Sequence, residues 1–177
     1  MTSTSTRHRA SWALAAGAAA LMLASAGSAD AQARIDGISG LTSFNFTAKA
    51  GEVSTPDGGA IHFWGYQDDA GTEMLPGGIL PQYPGPTLIL DQGDTVTISF
   101  KSELPFGRCS SMVFPGHSVA VTAATGDQDG LLTRETCPGG TPVQYTFTAS
   151  EPGTYMYHSG TESDLQIEMG LVGAIIV

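Results

Sequence analysis

Basic residues are scarce in this sequence. It contains 7 lysines and arginines against 17 aspartates and glutamates in 177 residues, so its formal net charge is −10. A surface with this balance repels the phosphates of nucleic acids and the head groups of anionic lipids. The composition therefore argues against a nucleic-acid-binding protein, whereas cations, including metal ions, are acceptable ligands.

Long apolar segments are also absent, apart from one near the N-terminus. Residues 12–24 form an apolar run that follows two arginines and precedes the Ala-x-Ala sequence of residues 31–33. This order is typical of a secretory signal peptide, and the run is too short for a membrane span. We expect cleavage after Ala33, with Ala26 as the alternative site. The product would be exported to the periplasm or secreted, without membrane attachment.

Cleavage after Ala33 would leave residues 34–177 as the mature chain. These 144 residues are enough for a single domain with its own hydrophobic core. They include five basic and sixteen acidic residues, which gives a net charge of −11. The acidic character thus belongs to the mature domain.

Only two cysteines are present, Cys109 and Cys137. In an oxidising compartment they have one intramolecular pairing available. The alternative is a thiolate that binds a metal, but neither cysteine directly follows a histidine at the end of a strand. We therefore predict a Cys109–Cys137 disulfide.

Helical periodicity is missing, and alternation of apolar and polar residues takes its place. Residues 95–100 (TVTISF) and 143–148 (VQYTFT) each place apolar side chains on one face, as half-buried strands do. Residues 170–177 are apolar enough for a central strand. Turn sequences rich in glycine and proline separate these segments. The pattern predicts an all-β single domain of seven to eight strands, an antiparallel sandwich with Greek-key connections.

Three stretches of the mature sequence together resemble a known domain. They are residues 83–94, with the sequence YPGPTL followed by QGD, residues 129–140, and residues 152–177, which begin PGTYMYHSG and end GLVGAIIV. In combination they resemble the plastocyanin-like (cupredoxin) domain found at the N-terminus of multicopper oxidases and copper nitrite reductases. The resemblance implies a cupredoxin-like Greek-key β-sandwich over residues 34–177, with copper sites built at strand ends.

The oxidases of this family carry two His-x-His pairs that hold an oxygen-reducing copper cluster. The first pair corresponds to residues 113–115 (Val-Phe-Pro) and the second to residues 158–160 (His-Ser-Gly). One histidine of four remains, at His158. The resemblance therefore implies too few imidazoles for a three-copper cluster, and no catalytic residue is assigned.

The nitrite reductases imply a second comparison. Four positions correspond to the ligands of their blue, electron-transfer copper: His117, Ser159, Gln166 and Leu171. A serine hydroxyl cannot replace the cysteine thiolate that defines such a site. The catalytic copper of that family would use His158 together with the position of Thr122. One ligand of each site is present in this sequence: His117 of the blue-copper site and His158 of the catalytic site. These two histidines are therefore the predicted metal ligands.

The surroundings of the histidines leave two interpretations open. His62 belongs to an alternating segment and is expected on an edge strand. Met156 and His158 share a face of their strand, and a thioether beside an imidazole suits Cu(I). In the alternative interpretation, Met156 belongs to the core and His158 closes the strand end with a hydrogen bond.

The sequence and the resemblance together predict an exported, copper-associated cupredoxin domain with incomplete copper sites. Copper would be the cofactor, held weakly by His117 and His158 or in a site completed by a second subunit or another cupredoxin domain. Two alternatives stay open: a metal-free structural or interaction domain, and the N-terminal piece of a longer multicopper oxidase. The isolated chain is expected to be inactive as an oxidoreductase.

Overall fold

A computed structural model of the chain describes residues 37–69, 80–122 and 128–177. The predicted signal peptide, residues 1–33, lies outside the described residues. The described ranges contain one α-helix, α1 (Ser163–Met169), and eleven strands: β1 (Ile38–Ser39), β2 (Ser43–Ser54), β3 (Ala60–Asp68), β4 (Leu88–Ile89), β5 (Thr95–Ser102), β6 (Val119–Thr122), β7 (Gln128–Asp129), β8 (Arg134–Glu135), β9 (Val143–Thr148), β10 (Thr154–His158) and β11 (Val172–Ile176). Seven of these strands have four or more residues, in agreement with the predicted seven to eight.

One layer of the sandwich is a five-stranded sheet in the order β3-β2-β5-β9-β6. Its inner face is built by alternation, because every second residue of β5 and β9 is buried. The outward residues of the same strands are threonine, serine, lysine and glutamine, which remain hydrated. This pattern confirms the half-buried strands predicted for residues 95–100 and 143–148.

The other layer is a four-stranded sheet in the order β1-β4-β11-β10. β11 lies inside this sheet, as the apolar sequence of residues 170–177 predicted. The two inner faces meet in an aromatic core, where the ring of Tyr157 lies 6.0 Å from Phe46 and 5.2 Å from Tyr66. Packing in this core keeps Tyr157 on the inner face of β10. The last residue of this strand is His158.

Both sheets are mixed, although the alternation pattern had suggested antiparallel ones. β2 pairs with β5 in parallel, and so does β4 with β1 and with β11. Parallel neighbours need a crossover connection. Here the chain enters the opposite sheet at β4 before β5 returns beside β2. The sandwich topology, which local sequence patterns do not encode, therefore decides the strand direction.

The helix α1 was not predicted. Its seven residues make about two turns, too few for a helical period to stand out in the sequence. Leu165 and Met169 pack against the core, and the helix ends at Gly170, whose φ is 124°. The helix connects the end of β10 to the start of β11. Among the described residues, no helix is long and apolar enough to cross a membrane.

The predicted disulfide is present, because Cys109 and Cys137 are joined across 28 residues. It lies beside a backbone bridge in which the amides and carbonyls of Ser110 and Thr136 exchange two hydrogen bonds of 2.9 Å. The bridge and the disulfide together fasten residues 109–110 to residues 136–137. Both links lie beside the candidate metal centre.

Candidate metal centre

His158 ends β10 and is held by backbone pairing on both sides. It lies opposite Val172 of β11, and on its other side its backbone N–H and carbonyl bond Val113 at 3.2 and 2.9 Å. The ring Nδ1 lies 2.9 Å from the carbonyl oxygen of Ser159. A carbonyl only accepts hydrogen bonds, so Nδ1 carries the proton and Nε2 of the neutral ring keeps its lone pair. Metal-binding histidines are commonly oriented by such a bond.

The positions of the two His-x-His pairs come together in the fold. Val113 lies directly opposite His158, and a Cβ added at Gly160 would lie 2.8 Å from Cγ1 of Val113. The fold therefore places the two segments side by side. An isopropyl group and a glycine cannot bind copper, so His158 supplies the imidazole at this point.

Ser159, Gln166 and Leu171 also come together, in a fully buried pocket beneath the end of β10. The amide oxygen of Gln166 accepts the hydroxyls of Ser159 at 2.6 Å and Ser110 at 2.9 Å. Its amide nitrogen donates to the carbonyl of Cys109 at 2.9 Å. The side chain of Gln166 thus ties the helix α1 to the strand end and to the disulfide-linked segment.

A second group of hydroxyls continues this buried network. Ser111 and Thr161 are bonded at 2.8 Å, and the Thr161 hydroxyl donates to Oε1 of Glu135 at 2.9 Å. The Ser159 hydroxyl also receives the backbone N–H of Thr161 at 3.1 Å. Buried hydroxyls are costly unless they are paired, and every one in this network has a partner.

The donor set of this pocket does not fit copper. A blue-copper site needs a thiolate and imidazole nitrogens, whereas the positions that correspond to it hold a hydroxyl, an amide and the aliphatic side chain of Leu171. The oxygen atoms of Ser159 and Gln166 are already bonded to each other and lie out of contact with solvent. No redox step is therefore derived through a metal in this pocket.

His117 lies elsewhere in the fold. Its ring centroid is 4.7 Å from that of Phe147 and 4.5 Å from that of Tyr155. Its Nε2 is buried without a hydrogen-bond partner, and burial lowers the pKa of the imidazole below its ordinary value. The ring is therefore neutral near pH 7 and packs as an aromatic group.

The two predicted ligands face different sides of β10. The ring of His117 contacts Tyr155, which shares the inner face of β10 with the buried Tyr157, whereas alternation directs His158 to the outer face. Joint binding of one metal ion by His117 and His158 stays a prediction.

The remaining histidine and the acidic residues add no ligand cluster. His62 is exposed on the edge strand β3, as expected, with Nδ1 3.0 Å from a carboxylate oxygen of Glu52. Across residues 37–69, 80–122 and 128–177, no group of three or more histidines, cysteines, aspartates or glutamates could hold a metal ion. In the described part of the chain, His158 is therefore not a member of any such cluster.

Comparison with solved structures defines the class of this domain. A copper nitrite reductase from Nitrosomonas europaea superposes with a TM-score of 0.52 and 24% sequence identity, over 76% of this chain and 41% of that chain. The protein therefore has the cupredoxin-like fold.

The family follows from sequence comparison. The chain belongs to the multicopper oxidase family, whose profile matches residues 69–177. It is similar to the iron transport multicopper oxidase FET3 of Gibberella zeae, with 38% identity over 102 residues, which are 56% of this chain and 15% of that protein. It is also similar to the copper-containing nitrite reductase of Neisseria meningitidis serogroup B, with 30% identity over 126 residues, 71% of this chain and 27% of that protein.

The chain thus matches only a small part of each of these longer relatives, and the names of both refer to copper.

The buried network was missed from the sequence, although one signal for it was present. Ser110 and Ser111 stand next to Met112 in a segment with no turn residues, where buried hydroxyls need partners. Their partners, Thr161 and Gln166, lie about fifty residues away, so pairing them requires the fold. The position of His117 could not be read either, because it depends on how the segment after Val113 packs against Tyr155 and Phe147.

Proposed function

We propose that this protein is an exported cupredoxin domain whose own copper sites are incomplete. It binds copper at His158, with the missing ligands supplied by a second subunit or another cupredoxin domain. The proposal extends the established family membership to the particular residues of this chain. It places the protein in the periplasm or outside the cell.

The orientation of His158 is the observation that carries this proposal. Its Nδ1 is committed to the Ser159 carbonyl at 2.9 Å, which leaves Nε2 as the nitrogen able to bind a metal. The ring is half-buried at a strand end, where it faces outward from the sheet. A single imidazole cannot retain Cu(II) tightly, because stable copper sites in proteins use several ligands. The partner must therefore contribute the rest.

The surface charge is compatible with this role. All four lysines and arginines in the described ranges form ion pairs with carboxylates: Lys49, Lys101, Arg108 and Arg134. The excess of acidic groups over the whole sequence favours the approach of cations. Export is supported by the signal-like residues 1–33 and by the disulfide, a bond that persists in oxidising compartments.

A copper titration at low and high protein concentration, with a sizing measurement alongside, tests the proposal. We expect Cu(II) binding that strengthens as the protein self-associates and that disappears in His158→Ala. His62→Ala is the matched control, because His62 is also on a strand but is exposed at the edge of the five-stranded sheet, whereas His158 belongs to the four-stranded sheet. Equal binding by the wild type and His158→Ala would refute the proposal.

A metal-free interaction domain is the second candidate function. The buried network of Gln166, Ser159 and Ser110 favours it. By the family resemblance, Gln166 and Ser159 correspond to metal ligands, but here their side chains form hydrogen bonds with each other, and Gln166 also bonds Ser110. In this case the protein would self-associate or bind a partner equally well with and without a chelator. Loss of association on chelation, restored by copper, would exclude this candidate.

A further inference from the structure

Two side chains with soft or borderline donor atoms share the outer face of β10. Met156 and His158 are two residues apart, and the buried Tyr157 between them points inward. Two residues along a strand span about 6.6 Å, which the flexible side chain of a methionine can bridge. The thioether of Met156 and the Nε2 of His158 are therefore able to bind one ion from the same side of the sheet.

Met156 is exposed, against the interpretation that assigned it to the core. Its side chain is 43% exposed, whereas Met112 of the core is 1% exposed. The interpretation in which Met156 is a core residue is therefore wrong, and its sulfur is open to a ligand.

The surroundings of this pair are apolar. Met156 lies opposite Ala174 and His158 lies opposite Val172, and Val113 flanks His158 on its other side. The strands β10 and β11 carry no charged residue. A pair of one imidazole and one thioether beside aliphatic neighbours supplies soft and borderline donors, so it suits the soft Cu(I) ion better than Cu(II).

From this arrangement we infer that Met156 and His158 form a Cu(I) site on the outer face of β10. The inference rests on the proposed function, since it uses the same histidine, and it adds the second ligand and the oxidation state. Cu(I) accepts few ligands, so this chain alone can bind it. Cu(II) still requires groups from a partner. Binding of Cu(I) at this site involves no electron transfer.

Anaerobic titration of the full mature protein with Cu(I), in competition with a coloured Cu(I) chelator, tests the inference. In Met156→Leu we expect the Cu(I) affinity to fall by at least about tenfold, the scale of ligand-shell losses at metal sites. The Cu(II) affinity should be unchanged. Met169→Leu is the control, because it removes a thioether that packs against the core. X-ray absorption at the copper edge should show a sulfur neighbour in the wild type that is absent from Met156→Leu.

The outcomes separate this inference from the proposed function. If Met156→Leu binds Cu(I) like the wild type, or if Cu(I) and Cu(II) affinities fall equally, the Cu(I) site is refuted while His158 can still bind copper. If His158→Ala binds both ions like the wild type, the proposed function fails as well. An exposed methionine tolerates leucine, so loss of folding does not obscure the comparison.

Discussion

Gln166 links the end of β10 to the helix α1. It is fully buried, and its amide bonds Ser110, Ser159 and the backbone of Cys109. A hydrogen bond contributes modestly when formed, but a buried group that loses its partner is costly. The stability of this region should therefore depend on Gln166 and not on copper.

We predict that Gln166→Leu lowers the free energy of unfolding by about 3 kcal/mol, because the Ser110 hydroxyl and the Cys109 carbonyl lose their partner. Urea unfolding of the metal-free protein measures this. Gln144→Leu is the matched control, since Gln144 is exposed on β9, and it should change stability little. A Gln166→Leu protein as stable as the Gln144→Leu control would contradict the account.

His117 makes the stability dependent on pH. Burial lowers its pKa in the folded protein below the ordinary value of 6.5. Below that value, the unfolded chain binds a proton at His117 more readily than the folded protein does. The free energy of unfolding therefore decreases as the pH falls below that ordinary value. Phenylalanine has a similar shape and cannot be protonated.

We predict that the melting temperature of the wild type falls more than that of His117→Phe between about pH 7.5 and about pH 5.5, the range in which histidine titrates. His62 and His158 are present in both proteins, so their contributions cancel in the comparison. Thermal unfolding at both pH values provides the measurement. Identical pH dependence of the two proteins would show that the imidazole of His117 is not desolvated.

At the scale of elements, the disulfide closes the segment that contains the first metal-pair position, the turn of His117 and β6. Cys109 and Cys137 are 28 residues apart. In the loop-entropy account, a closure of this length stabilises the fold by about 3.5 kcal/mol. The double substitution of both cysteines by serine should lower the stability by that amount in urea unfolding. Thiol titration of the unfolded, unreduced protein should find no free thiol, and two per chain would exclude the bond.

The elements differ in how well the sequence predicted them. β5, β9 and β11 were predictable, because alternation and an unbroken apolar run are local patterns. α1 was not, since two turns carry no clear period. The parallel pairing of β2 with β5 was not predictable from either strand, because it depends on the chain crossing between the sheets at β4.

At the scale of the whole molecule, the resemblance predicted the cupredoxin fold and located His158 correctly at a strand end. It could not predict that the pocket beneath β10 would be filled by paired hydroxyls and an amide, because such pairs join residues far apart in the sequence. It also aligned His117 with a ligand position, and in the fold the ring of His117 packs against Phe147 and Tyr155. The scaffold was thus easier to predict than the contents of the site.

The central claim is that this domain has no complete Cu(II) site of its own. Equilibrium dialysis of the mature protein against Cu(II), at a dilution where sizing shows a monomer, tests it most directly. We predict that the dialysed monomer retains no stoichiometric copper and has no intense thiolate-to-copper absorption, since both cysteines are joined in the disulfide. One tightly held Cu(II) ion per monomer would contradict it.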